Sequence, residues 1–208
     1  MSLSYDTLYI IYNNMFECME FNGIEIKEKN KLDLNLFKNL LESKSYERCN
    51  ISGSKDNKNY TLTLLSFDSK YGKKKEGERM IKESLLKNDK TIIICQKDDQ
   101  IKNLLNLINI DNELNPFLNV KLFIVMYKCF TYNNPKHSHA STSINVLDKS
   151  SEELLLDTYK IKKKNLPKIN INDAELIWYF SKVNLGDIIV ITNYSDNAGI
   201  AVEYRYVI

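Results

Sequence analysis

Apolar residues near the start of the chain recur at three- and four-residue spacing. Leu8, Ile11, Met15 and Cys18, with Asp6 in the opening turn, predict a helix from Ser4 to about Cys18, and Gly23 follows as its stop. Ile24 and Ile26 alternate briefly with Glu25 and Lys27. Leu36, Phe37, Leu40 and Leu41 then share one face of a second helix, from Asp33 to Ser43, with the Asp33 carboxylate as its N-cap. From Ser45 to Lys58 the chain is polar and turn-rich. Tyr60 to Phe67 alternates and is rich in Thr and aromatics, which predicts a strand. Asp68 to Glu78 reads as a loop and Arg79 to Leu86 as a short helix. The β-branched run Thr91 to Cys95 predicts a strand buried on both faces. Ile101, Leu104, Leu105 and Ile108 stripe a helix from Gln100 to Ile110, and Val120 to Phe130 predicts another strand. Strands alternating with helices argue for an α/β sheet with at least one parallel crossover over residues 1–134.

Tyr132 to Ser143 breaks this pattern with Pro135, His137, His139 and a Ser/Thr run, and reads as a linker, taken as residues 135–146. Beyond it, over residues 147–208, the periodicity is sharper. Ser150 and Glu153 have capping-box spacing, followed by the apolar stripe Leu155, Leu156 and Tyr159. Lys162, Lys163 and Lys164 stand at that helix's exit, where cations complement the dipole. Pro167 fixes a turn, and Asp173 is placed to cap a second short helix from Ala174 to about Phe180. Gly186 and Asp187 form a turn before the strand Ile188 to Asn193, and Gly199 supplies backbone freedom in the next turn. Ile200, Val202, Tyr204, Tyr206 and Ile208 then alternate with Ala201, Glu203, Arg205 and Val207, a strand with one core-facing side.

Composition changes this picture little. The 208 residues allow one large domain or two small ones, and a hydrophobic content of 43% supports a packed core. A net charge of +2 imposes no global field on a partner. Of the 29 cationic residues only Arg48, Arg79 and Arg205 are arginines; together with the abundance of Asn and Ile, this is what an AT-rich genome produces. Cys18, Cys49, Cys95 and Cys129 are far apart and read as reduced, mostly buried thiols. His137 and His139 have no Cys or acidic residue at ligand spacing, so no metal and no cofactor is expected. The opening Met1 to Asp6 lacks a signal peptide's basic and apolar regions, and no run reaches the roughly 18 apolar residues of a membrane span. The chain is therefore expected to be intracellular and soluble, with no membrane partner.

The ordered motifs of residues 135–208 resemble the fifth-subunit family of eukaryotic RNA polymerases, which has an archaeal counterpart and relatives in large DNA viruses. Pro135, Lys136 and His137 resemble the family's entry motif, and Glu152 to Ile161 its first helix. Leu166, Pro167, Lys168 and Ile169 resemble its Leu-Pro-Arg/Lys-Ile turn. Asp173 stands for the Asp before its second helix, and Gly186 with Asp187 for its Gly-Asp/Glu turn. Ser195, Asp196, Asn197, Ala198 and Gly199 resemble its Ser-Glu-Thr-Ala/Ser-Gly turn, and Tyr204 with Arg205 its closing pair. Departures are also present: about seven residues stand inserted after His137, Ala174 replaces a Pro, Asn193 and Tyr194 replace a basic pair, and Lys168 stands where Arg is common. Such drift points to a fast-evolving lineage, viral or cellular.

The resemblance implies an α/β N-terminal jaw domain with a nuclease-like sheet, then a small α+β C-terminal assembly domain with a mixed sheet and two short helices. It implies a non-catalytic subunit of a DNA-directed RNA polymerase that docks on the largest subunit beside other subunits, through Pro135, Lys136, His137, Leu166, Pro167, Lys168, Ile169, Asp173, Gly186, Asp187, Ser195, Asp196, Ala198, Gly199, Tyr204 and Arg205. The jaw stands near downstream duplex DNA, and the basic stretch with Lys70, Lys73, Lys74, Lys75 and Arg79 is the candidate for weak, sequence-blind phosphate contact. The nucleus is the expected location in a cell, and the virion or a viral factory for a virus. Two alternatives stay open. One is a metal-dependent nuclease using Glu25 and Lys27 or Asp98 and Asp99; the other is a stand-alone transcription adaptor.

Overall fold

A computed structural model describes residues 3–27, 31–43, 49–64, 74–111, 113–131, 135, 142–195 and 199–208. The chain is α+β with mixed sheets and divides into two compact units, Met1–Tyr132 and Asn133–Ile208.

In the first unit the opening helix, α1 (Tyr5–Phe21), runs three residues beyond the periodic signal. Ser4 caps its start by accepting from the Thr7 N–H. At its end Gly23, at φ 67°, bonds back to the Glu20 carbonyl and Ile24 to that of Met19, which satisfies carbonyls the helix leaves orphaned. The second helix, α2 (Leu34–Glu42), is capped by Asp33, which accepts from the Leu36 N–H at 2.8 Å. Tyr12 joins the two helices, with its ring 5.0 Å from that of Phe37 and 5.1 Å from that of Phe16.

Five strands form one sheet: β1 (Glu25–Ile26), β2 (Ile51–Lys55), β3 (Lys58–Leu64), β4 (Lys90–Cys95) and β5 (Leu122–Met126), neighbours in that order. The first three pair antiparallel, while β3, β4 and β5 pair parallel through α3 (Lys74–Lys87) and α4 (Asp98–Ile110). The expected crossover is therefore present twice. On one face Ile93, Cys95, Leu122 and Ile124 pack against Ile81 and Leu85 of α3 and Leu104, Leu107 and Ile108 of α4. The alternate residues Leu62, Ile92 and Phe123 are buried as well, so β4 is enclosed on both sides as its apolar run predicts. A buried hydrogen bond from the Asn14 side chain to the Phe130 carbonyl, 2.6 Å, ties α1 to the turn after β5.

Three readings of this unit need correction. The stretch 45–58 holds a strand, β2, joined to β3 by Asp56 (φ 50°) and Asn57 (φ 61°). These are the two positive-φ positions of a tight hairpin turn, and Asp and Asn tolerate them. Its apolar alternation is hidden because Ile51 is followed two places on by Gly53, where a Cβ would lie 2.6 Å from Ile24 Cγ2 and 2.7 Å from the Glu25 carbonyl oxygen. Second, α3 begins at Lys74, so Lys74 and Lys75 open a helix rather than lie in a loop. Third, the strand expected over 120–130 is confined to Leu122–Met126, between Asn119 at φ 62° and a 3-10 turn over Tyr127–Phe130.

The second unit is a four-stranded mixed sheet in the order β6 (Thr142–Val146), β8 (Ile188–Ser195), β9 (Gly199–Val207), β7 (Lys168–Ile169), with one α-helix among the described residues, α5 (Lys149–Tyr159); β6 pairs with β8, so the end of the stretch read as a linker, 142–146, is a strand of this sheet. Leu155 and Leu156 of α5 pack with Leu147, Ile161, Leu166, Ile188, Tyr204 and Tyr206. The second short helix expected over 174–180 is instead one 3-10 turn, Leu176–Tyr179. Leu176, Ile177, Trp178, Tyr179 and Phe180 are all buried, so this segment has no polar face to give an amphipathic helix. The cap of α5 also differs from the capping box read at Ser150. Asp148 is the N-cap, and its Oδ1 accepts from the Ser151 N–H and the Ser150 hydroxyl, both at 2.7 Å.

Two stability tests follow from this packing. Gly53→Ala should cost about 1–3 kcal/mol in chemical denaturation, because backbone crowds the added methyl; wild-type stability would mean that β1 is not seated against β2 in this way. Asp148→Ala should lower Tm while Ser150→Ala changes it little. The two donors hold the Asp148 carboxyl below the usual carboxylate range. Its stabilisation is therefore full above the ordinary value of about 4 and lost as pH falls through the depressed one. The Tm difference between wild type and Asp148→Ala should shrink accordingly on acidification.

Candidate partner-docking surface

In the β8–β9 hairpin of the second unit the two strands are connected at one end, through residues 196–198, and end freely at the other. Ile188 pairs with Tyr206 at the far end, and Ser195 with Gly199 at the connected end. Ile188, Ile189 and Ile191 are buried, whereas Tyr194, Ile200 and Val202 are 52%, 67% and 51% exposed. Tyr194 stands directly opposite Ile200, and Thr192 opposite Val202. Paired residues, and residues two apart, share a face, so these three apolar side chains lie together on one side of the hairpin near its connected end.

The same stretch carries an open edge. β9 lies between β8 and β7, but β7 pairs only Lys168 with Tyr206 and Ile169 with Val207. Among the described residues no strand flanks residues 199–205 on that side. The Tyr206 N–H points that way, to the Pro167 carbonyl at 2.8 Å. By the two-residue period the backbone groups of Ile200, Val202 and Tyr204 face the same side. A row of strand donors and acceptors beside an exposed apolar face is suited to accepting an extended segment of another chain as an added strand.

The residues expected to dock are distributed unevenly around this hairpin. Leu166 and Ile169 are buried in the unit's own core and shape their turn from within, leaving Pro167 and Lys168 exposed. Gly186, at φ 88°, and Asp187 lock the far end. Gly186 N–H donates to the Val207 carbonyl, Val207 N–H to the Asp187 carbonyl, and Asn184 N–H to Asp187 Oδ2 at 2.8 Å. Asp173 is exposed and accepts from the Glu175 N–H at 3.0 Å. Tyr204 packs on the α5 core, while Arg205 donates to Glu203 Oε2 through Nη2 at 2.7 Å and Nε at 3.1 Å. Gly199 is exposed at φ 75°, and Pro135 is half-buried. Ser195 is described through its backbone pairing with Gly199; Lys136, His137, Asp196 and Ala198 lie outside the described residues.

Tyr194, Ile200 and Val202 are the residues that sequence reasoning missed as a surface. Alternation places Ile200 and Val202 on the same side as Tyr204 and Tyr206, and that side was expected to be core. The side is indeed shared, but the packed core extends only as far as Tyr204.

In the first unit Lys70 and Lys73 lie outside the described residues, Lys74 and Lys75 open α3, and exposed Arg79 pairs with Glu83 at 3.6 Å. The two acidic pairings considered for nuclease chemistry are not brought together. Glu25 is on β1, level with the start of β4 and three strands away from it, whereas Asp98 and Asp99 follow the end of β4. Burial pushes the Cys49 thiol up to about 11 and Cys95 up to about 12, so both are protonated at neutral pH and poor nucleophiles. No helix among the described residues is long and apolar enough to cross a membrane.

No curated protein matches the chain. Residues 132–207 match the family model described as RNA polymerase Rpb5, C-terminal domain. The match spans the second unit, which is thus an Rpb5 C-terminal domain, and it supports reading the chain as an RNA polymerase subunit of the Rpb5 type.

Proposed function

We propose that this protein is a structural, non-catalytic subunit of a multisubunit DNA-directed RNA polymerase, with its C-terminal unit as the module that docks on the largest subunit. The observation that carries this reading is the coincidence of an open β9 edge with the exposed Tyr194, Ile200 and Val202 face, inside the matched domain. Docking through this hairpin combines two terms. Backbone pairing along residues 199–205 supplies register, and burial of the three apolar side chains, each already partly covered, supplies affinity. The outward groups of the turns at 166–169 and 195–199, chiefly Pro167, Lys168 and Gly199, flank it. Residues buried within the unit, Leu166 and Ile169, would act by holding that outline.

On the same reading the N-terminal unit is a jaw module near downstream DNA, and the basic stretch with Lys70, Lys73, Lys74, Lys75 and Arg79 touches the phosphate backbone. Such contacts gain affinity by releasing counterions and carry no sequence information. The protein would then be found where the transcription machinery works: the nucleus of a cell, or the virion or factory of a large DNA virus.

Ile200→Asp with Val202→Asp should leave the Tm of the purified chain close to wild type, since both positions are exposed. The pair should cut recovery of the two large polymerase subunits with the tagged protein at least tenfold, the equivalent of about 1.4 kcal/mol. Undiminished recovery would remove the hairpin from the docking surface, and purification without any polymerase subunit would overturn the function. Separately, Lys73→Glu, Lys74→Glu and Lys75→Glu together should lower affinity for duplex DNA and flatten its dependence on salt. An unchanged slope would exclude that stretch from DNA contact.

A further inference from the structure

The segment that leaves α5 carries a surplus of positive charge that the fold does not consume. Lys160, Lys162, Lys163, Lys164 and Lys168 fall within nine residues, and no acidic residue occurs between Thr158 and Asn172. The nearest carboxylates along the chain are Asp157, on the last turn of α5, and Asp173. Two members of the segment are turned to internal use. Ile161 packs against the Leu155, Leu166 and Ile188 core. Lys163 donates to Glu152 Oε1 and lies 5.8 Å from the centre of the Tyr206 ring. Lys160, Lys162 and Lys164 are exposed, with no carboxylate partner among the described residues.

The backbone beneath these three lysines is held in place. Lys160 takes the left-handed conformation, φ 51°, and its N–H bonds to the Asp157 carbonyl at 3.1 Å. The Ile161 N–H reaches the Leu156 carbonyl at 3.1 Å, and the Asn165 N–H the Lys162 carbonyl at 2.8 Å. The three charges are therefore presented from a fixed frame. Complementing the dipole of α5 does not account for them, because that effect fades beyond the last helical turn and the last turn of α5 holds no basic residue. A protein–protein contact does not suit them either. Interface cores are depleted in Lys, and from Lys160 to Asn165 every exposed side chain is Lys or Asn.

We propose that Lys160, Lys162 and Lys164 form a second nucleic-acid contact, in the C-terminal unit, that binds the phosphate backbone without reading sequence. Lys163 is the brace that fixes the segment, not a contact. The ligand chemistry is a polyanion with regularly repeated phosphates, for which flexible ammonium groups on a fixed backbone act as point charges. This contact is independent of the basic stretch in the N-terminal unit.

The test uses the full chain and a labelled random-sequence duplex of about 30 base pairs, with anisotropy measured from about 50 to 200 mM KCl. The triple variant Lys160→Gln, Lys162→Gln, Lys164→Gln should keep the wild-type Tm and reduce the slope of log K against log salt by about 0.9 for each lysine removed. Arginine at the same three positions should restore the slope. Lys163→Gln should do the reverse, lowering Tm while leaving the slope nearly unchanged. A triple variant with the wild-type slope would overturn the proposal. So would one that keeps the slope but loses co-purification with polymerase subunits, since the lysines would then meet an acidic polypeptide. Lys73→Glu, Lys74→Glu, Lys75→Glu measured alongside reports on the N-terminal stretch alone, so failure of either contact is seen separately.

Discussion

Ile188 opposite Tyr206 and Ser195 opposite Gly199 are the two ends of one register, and the rest of the C-terminal unit is placed relative to it. A slip of one residue would reverse every side chain of β9, carrying Arg205 and Glu203 into the face that packs on α5 and Tyr204 and Tyr206 out of it. The register is pinned at the far end, away from the connection between β8 and β9. There Gly186 at φ 88° permits the turn, and reciprocal hydrogen bonds join Gly186 and Asp187 to Val207. The short β7 then clamps only the last residues of β9. The far end of the hairpin is thus held by bonds from outside the β8–β9 ladder, while the apolar face near the connected end stands exposed.

How legible each feature was depends on how local its cause is. Gly23 and Asp33 act within one helical turn of where they stand, so spacing alone identified them. The buried run Thr91 to Cys95 was equally plain, because a strand buried on both faces demands a continuous apolar run. β2 was not legible. Its alternation is interrupted at Gly53, whose lack of a side chain is required by the approach of β1, a neighbour distant in sequence. Asp148 took the cap from Ser150 for a related reason. Both are competent N-caps, and the choice between them is a shift of the helix start that spacing does not resolve.

The candidate surface shows the same division. The alternation of Ile200, Val202, Tyr204 and Tyr206 establishes that they share a face, but the extent of cover over that face is a tertiary quantity. α5 packs on Tyr204 and Tyr206, and Ile200 and Val202 are left in water. Likewise Lys162, Lys163 and Lys164 are one charge run in sequence, yet the fold spends Lys163 on Glu152 and the Tyr206 ring and leaves its two neighbours to solvent.

The two sheets treat their edges differently, and the difference bears on how the chain is used. In the N-terminal sheet one edge strand, β1, is only two residues long, and at the other Leu118 bridges to the start of β5 while the Asn119 N–H bonds to the Leu122 carbonyl. Short and partly covered edges are how sheets avoid unwanted pairing. Among the described residues the stretch 199–205 of β9 has neither protection, and it sets Ile200 and Val202 beside the open edge, with Glu203 as the only acidic residue of the stretch and Arg205 already bound to it. Left bare, such an edge favours indiscriminate strand addition. Covering it would remove this hazard and bury Ile200 and Val202 in one step, because the unpaired backbone groups and the uncovered side chains lie on the same stretch of β9.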